Sequence, residues 1–121
     1  MVVAIIVTWL FLLPTGSFAG EADVLGVKIT RQKNGTYSFS VTVRHDDEGW
    51  DHYADRWEVA ELKGNTLGTR VLLHPHVGEQ PFTRGLSGIE IPEGSSKVLV
   101  RAHDLVHGYG GEEVVMELPP D

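Results

Sequence analysis

The chain has 121 residues, 41% hydrophobic and 22% charged, which is the composition and length of a single globular domain. Its 17 acidic and 10 basic residues give a formal net charge of −7, which excludes the basic surface that a nucleic-acid-binding protein needs. The absence of cysteine excludes disulfides, thiol catalysis and thiolate-held metal sites, whereas six histidines are many for this length.

The N-terminus is predicted to carry a signal peptide of 19 residues. Residues 2–13 are apolar and uncharged, a run too short for a membrane-spanning helix of about 20 residues but right for a signal-peptide core of about 7–15. Ser17 and Ala19 are small residues at positions −3 and −1 of a cleavage site, and Ala22 marks a second possible site. Cleavage leaves a periplasmic or secreted domain of residues 20–121 without a membrane span, and an uncleaved N-terminal anchor is the alternative.

Seven short strands are predicted in the remainder. Apolar side chains alternate there with period two rather than 3.6, and turn-forming residues recur about every 8–12 residues. In chain order the predicted strands cover residues 24–31, 36–45, 56–63, 67–73, 86–91, 96–103 and 112–118. This pattern predicts an all-β fold, an antiparallel β-sandwich of immunoglobulin-like (fibronectin type III-like) topology.

The same alternation predicts the core, because every second side chain of a half-buried strand faces inward. The inward set is predicted to contain Leu25, Val27 and Ile29, then Tyr37, Phe39, Val41 and Val43, then Trp57 and Val59, then Val98, Val100 and Ala102. Without disulfides, the packing of these side chains alone has to stabilise the fold.

Two stretches resemble known proteins. Residues 98–111 (VLVRAHDLVHGYGG) resemble the F–G hairpin of fibronectin type III domains, in which an alternating strand runs into a glycine-containing loop; the resemblance implies their fold. Residues 74–84 (HPHVGEQPFTR) are similar to an HPHVxEQPFTR-like stretch shared by small, exported, uncharacterised bacterial proteins. That resemblance implies export and the fold, and it implies no particular activity.

All six histidines are predicted to lie at one end of the sandwich. Successive antiparallel strands reverse direction, so the loops after the second, fourth and sixth strands share one end. These loops and the strand ends beside them contain His45, His52, His74, His76, His103 and His107. Loops at the end of a rigid sandwich are where such folds carry binding residues, so this end is the predicted working face.

Two interpretations of this end involve no metal. In the first, histidine–carboxylate pairs only hold the long loops together. In the second, Trp50, Tyr53, Asp51 and Tyr109 bind a protein or a small ligand, because aromatic rings interleaved with carboxylates suit a cationic or sugar-like partner.

A metal site is the third interpretation. His74 and His76 flank a proline, which favours extended backbone and directs both imidazoles to the same side. They are the predicted ligands of Zn²⁺ or Cu²⁺, the ions that imidazole and carboxylate groups suit, and Glu79, His45 or His103 supplies the remaining ligands.

No nucleophile elbow, phosphate-binding glycine loop or H-E-x-x-H motif occurs in the sequence, so we do not expect an enzyme. The sequence predicts an exported, non-enzymatic binding or structural module without a cofactor, whose histidine- and carboxylate-rich loop end receives its partner. The alternative is a periplasmic Zn²⁺- or Cu²⁺-binding protein that uses the His74–His76 loop.

Overall fold

A computed structural model describes residues 20–120 of the chain. The strands are β1 (Asp23–Arg31), β2 (Tyr37–Arg44), β3 (Ala54–Ala60), β4 (Thr66–Val71), β5 (Phe82–Ile89), β6 (Lys97–Asp104) and β7 (Val114–Glu117). Within the described residues, no helix is long and apolar enough to cross a membrane. The predicted signal peptide lies outside the described residues, and it stays a prediction.

The strands form two antiparallel sheets, one in the order β1-β2-β5 and the other in the order β4-β3-β6-β7. This arrangement confirms the predicted seven-stranded antiparallel sandwich. β2 lies in the centre of the first sheet, and β3 and β6 are the inner strands of the second. The ends of β2 and β6 meet at one end of the core, where Nε2 of His45 lies 3.9 Å from Oδ2 of Asp104.

The core consists of the alternate side chains that the two sheets turn toward each other. Trp57 and Val59 of β3 are completely buried, and so is Val100 of β6. Tyr37 and Phe39 of β2 belong to the same buried cluster. These positions confirm the inward faces predicted for β2, β3 and β6, because a strand in a two-layer fold buries every second side chain.

Near the start of β1, the side chains that face the core differ from the predicted ones. Leu25 is 52% exposed, whereas Val24 is buried. The register with β2 shifts between Val24 and Gly26, which is a β-bulge with one extra residue in β1. Because of this extra residue, the side chain of Val24 rather than that of Leu25 points into the core. Val27 and Ile29 pack against the core as predicted.

β3 and β5 begin earlier than predicted. β3 begins at Ala54 rather than at residue 56, and β5 begins at Phe82 rather than at residue 86. Phe82 is buried opposite Val43 of β2, and Ala54 is buried opposite Asp104 of β6. Each added segment buries one early side chain among polar neighbours, so the sequence shows no alternation there.

Three long loops share one end of the sandwich: residues 45–53, 72–81 and 105–113. They contain five of the six histidines, and His103 is the penultimate residue of β6 beside them. The structure thus places all the histidines at the predicted end, which we call the histidine end.

Candidate metal centre

The inward-facing rows of β2 and β6 continue into polar residues at the histidine end. In β2 the row that includes Val43 continues to His45, and in β6 the row that includes Ala102 ends at Asp104. His45 is 2% exposed and Asp104 is 0% exposed. The alternation that buries apolar side chains therefore also buries an imidazole and a carboxylate, one from each sheet.

His52 joins this pair because the β2–β3 loop folds back on itself. The backbone N–H of Glu48 donates to the carbonyl of His52, and the N–H of His52 donates to the carbonyl of Gly49, over 2.9 and 3.2 Å. Gly49 adopts a φ of 130°, which glycine tolerates and other residues avoid. The turn directs the imidazole of His52 toward the core.

Three side chains then converge on one point. Nε2 of His52 lies 3.2 Å from Nε2 of His45 and 3.2 Å from Oδ1 of Asp104. One ligand atom from each residue lies within 4.8 Å of the others, and no other such group of three or more histidine, aspartate or glutamate residues occurs among residues 20–120. We call these residues the His45–His52–Asp104 cluster.

A carboxylate lies behind each imidazole of the cluster. Nδ1 of His45 lies 2.5 Å from Oδ1 of Asp47, and Nδ1 of His52 lies 2.6 Å from Oε1 of Glu48. A carboxylate accepts hydrogen bonds, so these contacts assign a hydrogen to Nδ1 of each ring and direct Nε2 toward the cluster. This is the arrangement that orients metal-binding imidazoles in proteins. Nε2 of His45 also lies 3.0 Å from the carbonyl oxygen of Gly20.

The cluster has two features that a positive charge would satisfy. The two Nε2 atoms face each other at 3.2 Å, and two lone pairs at that distance repel unless a proton or a cation lies between them. Oδ2 of Asp104 is buried and accepts no hydrogen bond in the described part of the chain. A buried polar atom without a partner costs about 1–3 kcal/mol, a cost that a bound cation would offset.

The pKa shifts follow from the same contacts. Burial lowers the pKa of His45, but its hydrogen bond to Asp47 and the charges of Asp47 and Asp104 raise that pKa above its usual value. Burial raises the pKa of Asp47 and of Asp104, but hydrogen bonds lower both below the usual value. The same carboxylates that raise the pKa of His45 therefore favour a positive charge at the centre of the cluster.

A separate polar network covers the outer face of the four-stranded sheet around the buried carboxylate of Glu58. This carboxylate accepts hydrogen bonds from Arg56, Thr66, Arg101 and the hydroxyl of Tyr109. Burial raises the pKa of Glu58, but these hydrogen bonds lower it below its usual value, and the hydrogen bond from Tyr109 has the largest lowering effect. The network binds the β6–β7 loop to the sheet.

The residues predicted from the sequence as metal ligands lie in different places. The rings of His74 and His76 are adjacent, with centroids 4.6 Å apart, but Nε2 of His76 accepts a hydrogen bond from Arg84 over 3.0 Å. The positive charge of that guanidinium disfavours a cation at His76. Glu79 is exposed on the same loop, and Nδ1 of His103 lies 2.6 Å from Asp55 on the outer face of the sheet.

Of the five predicted ligands, only His45 belongs to the cluster. The other two members, His52 and Asp104, were outside the predicted set. One further step of the period-two alternation in β6 identifies Asp104 as inward-facing. No sequence signal identifies His52, because its direction depends on how the loop folds.

The residues predicted to bind a partner also divide into two groups. Trp50 is 66% exposed, packs edge-to-face on Tyr53 with ring centroids 5.7 Å apart, and adjoins the exposed Asp51. Tyr109 lies instead on the outer sheet face, 4.8 Å from the ring of His103. Binding of a partner at these residues stays a prediction.

The chain is similar to a protein of Halomicrobium mukohataei named "Putative lipoprotein". The two are 48% identical over 97 residues, which are 80% of this chain and 47% of the relative, so the chain spans about half the length of that protein. No protein-family profile and no solved structure matches the chain.

Proposed function

We propose that this protein is an exported module that binds one Zn²⁺ or Cu²⁺ ion at the His45–His52–Asp104 cluster and catalyses no reaction. The observation that carries the proposal is the convergence of two Nε2 atoms, whose rings are each backed by a carboxylate, on the buried carboxylate of Asp104, whose Oδ2 accepts no hydrogen bond in the described part of the chain.

The spacing of the donor atoms supports an ion at the centre of the cluster. Two ligands of a tetrahedral zinc ion, with bonds of about 2.0–2.1 Å, lie about 3.3–3.4 Å apart. His52 Nε2 lies 3.2 Å from both His45 Nε2 and Asp104 Oδ1, close to that value. Asp104 Oδ2 is somewhat farther, 3.9 Å from His45 Nε2.

The charges and ligand types support a divalent transition metal. Imidazole nitrogens suit Zn²⁺ and Cu²⁺ better than they suit Ca²⁺ or Mg²⁺, which prefer oxygen ligands. The carboxylates of Asp47, Glu48 and Asp104 surround the two rings, and among the described residues their side-chain partners of positive charge are all histidines. A bound dication compensates this excess of negative charge.

The closed surroundings of the cluster support binding rather than catalysis. The side chains of His45 and Asp104 are fully buried, and that of His52 is 10% exposed. A catalytic metal keeps a position open for water or substrate, whereas a structural or storage site is enclosed. The name of the relative and the predicted signal peptide support export, to the periplasm or to the exterior.

Calorimetric titration of the demetallated protein with Zn²⁺ and with Cu²⁺ tests the proposal. We expect saturable binding of one ion by the wild type. His52→Ala and Asp104→Asn should weaken the affinity at least about tenfold, since even the loss of a residue behind a metal ligand costs about 10–100-fold. The matched control is His74→Ala, an exposed histidine of the same end, which should bind as the wild type does.

Thermal denaturation gives a second measurement of the same binding. An ion at about 100 times its dissociation constant stabilises the folded state by about 2.7 kcal/mol, which raises the melting temperature by on the order of 10 °C. Wild-type binding weaker than about 10 μM contradicts the proposal. So does a loss of binding in His74→Ala with none in His52→Ala, which would locate the ion at the loop predicted from the sequence.

A further inference from the structure

A fourth donor atom contacts the cluster from the N-terminal side of β1. The carbonyl oxygen of Gly20 lies 3.0 Å from Nε2 of His45, the nitrogen that also faces His52 and Asp104. This oxygen is a main-chain atom of the first described residue, three positions before β1 begins.

The segment that carries Gly20 is held in place by the fold. The side chain of Ala22 is buried in the core, and Oδ1 of Asp23 accepts a hydrogen bond of 2.7 Å from the backbone N–H of Glu112. A Cβ atom on Gly111 would lie 2.1 Å from the carbonyl oxygen of Ala22, so only glycine permits this close approach. The β6–β7 loop therefore fixes the path of the chain into the cluster.

Gly20 is also the residue that the predicted cleavage after Ala19 makes the first of the mature chain. We propose that this new N-terminal residue completes the metal site, its α-amino nitrogen and carbonyl oxygen both binding the ion of the His45–His52–Asp104 cluster. This inference rests on the proposed metal binding and adds that removal of the signal peptide creates the strongest form of the site.

The chemistry depends on the difference between an amide and an amine. In the uncleaved chain, the lone pair of the Gly20 nitrogen is delocalised into the peptide bond, so this nitrogen binds a metal only after it loses its amide proton, whereas the carbonyl oxygen binds directly. Hydrolysis of the Ala19–Gly20 bond leaves a primary amine, which binds Zn²⁺ or Cu²⁺ once it has released a proton. The amine nitrogen, Cα, the carbonyl carbon and oxygen, and the ion then form a five-membered chelate ring.

The experiment compares one protein before and after the N-terminus of Gly20 is released. A fusion carries a removable tag directly before Gly20, and a matched control retains Ala19 as its first residue after removal of the tag. Cu²⁺ is titrated into each form, and electron paramagnetic resonance counts the nitrogen atoms bound to copper. Melting in EDTA checks that the forms are equally stable without metal.

We expect the form that begins at Gly20 to bind Cu²⁺ at least about tenfold more tightly than the tagged form and the Ala19 control. Its spectrum should report one nitrogen more than theirs, and the intact mass of the exported protein should correspond to a chain that begins at Gly20. Equal affinities and spectra in all forms, or an exported chain that begins elsewhere, overturn the inference. If the tagged form binds as tightly as the others, the proposed metal function still stands; if none binds, that function fails as well.

Discussion

The replacement of Asp47 by alanine should destabilise the fold far more than the same replacement of its neighbour Asp46. The buried carboxylate of Asp47 accepts hydrogen bonds from the ring of His45 and from the backbone N–H groups of Ala54 and His76, at 2.5, 3.0 and 2.6 Å. The contacts with Ala54 and His76 join the β2–β3 loop to the start of β3 and to the β4–β5 loop, and the contact with His45 lies within the β2–β3 loop. Asp46 is exposed, and in the described part of the chain it makes no side-chain hydrogen bond.

The magnitude follows from these three contacts. A hydrogen bond to a charged group contributes about 1.5–3 kcal/mol, but contributions that share one carboxylate are not additive. Removal of one partner from a buried ion pair costs about 3–5 kcal/mol, and we take this range for the loss of unfolding free energy in Asp47→Ala. Asp46→Ala should change that free energy by no more than about 0.5 kcal/mol.

Urea denaturation followed by far-ultraviolet circular dichroism measures both variants, at neutral pH and with EDTA so that metal makes no contribution. In thermal denaturation the expected loss for Asp47→Ala corresponds to a melting temperature lower by at least about 12 °C. Asp47→Asn, which keeps an acceptor oxygen but loses the charge, should fall between the two alanine variants. Equal stabilities of Asp47→Ala and Asp46→Ala would refute the view that this carboxylate holds the loops of the histidine end together.

Two further predictions concern the core and the outer face of the sheet. Trp57→Ala removes a side chain that is 0% exposed and should cost about 3–5 kcal/mol in urea denaturation. Trp50→Ala, at 66% exposure, should cost about a third of that, and equal losses would contradict the core assignment. The lowered pKa of Glu58 means that its carboxylate stabilises the fold above the usual glutamate pKa and loses this effect as pH falls through its lowered value. The stability difference between the wild type and Glu58→Gln should therefore shrink from about pH 7 to about pH 3, and a constant difference would contradict the lowered pKa of Glu58. The groups that face Glu58 are Arg56, Thr66, Arg101 and Tyr109.

The sequence by itself determined the class of fold, the inward faces of the inner strands and the end at which the histidines lie. Each of these depends on local or alternating properties. A period of two specifies a half-buried strand wherever it occurs, so Trp57 and Val100 are inward in any sandwich built from these strands. The reversal of direction between successive antiparallel strands then assigns every second loop to one end, whatever the loops contain.

The tertiary structure alone decided which of those histidines meet. His45 and Asp104 approach because β2 and β6 lie in opposite sheets and end at the same level, which depends on how the sheets pack. His52 joins them because its loop folds back on itself. Nε2 of His76 instead accepts a hydrogen bond from Arg84, although the spacing of His74 and His76 predicts a shared metal ion. Spacing along the chain determines only what can meet locally, and a site assembled from distant loops depends on contacts that form after the strands have packed.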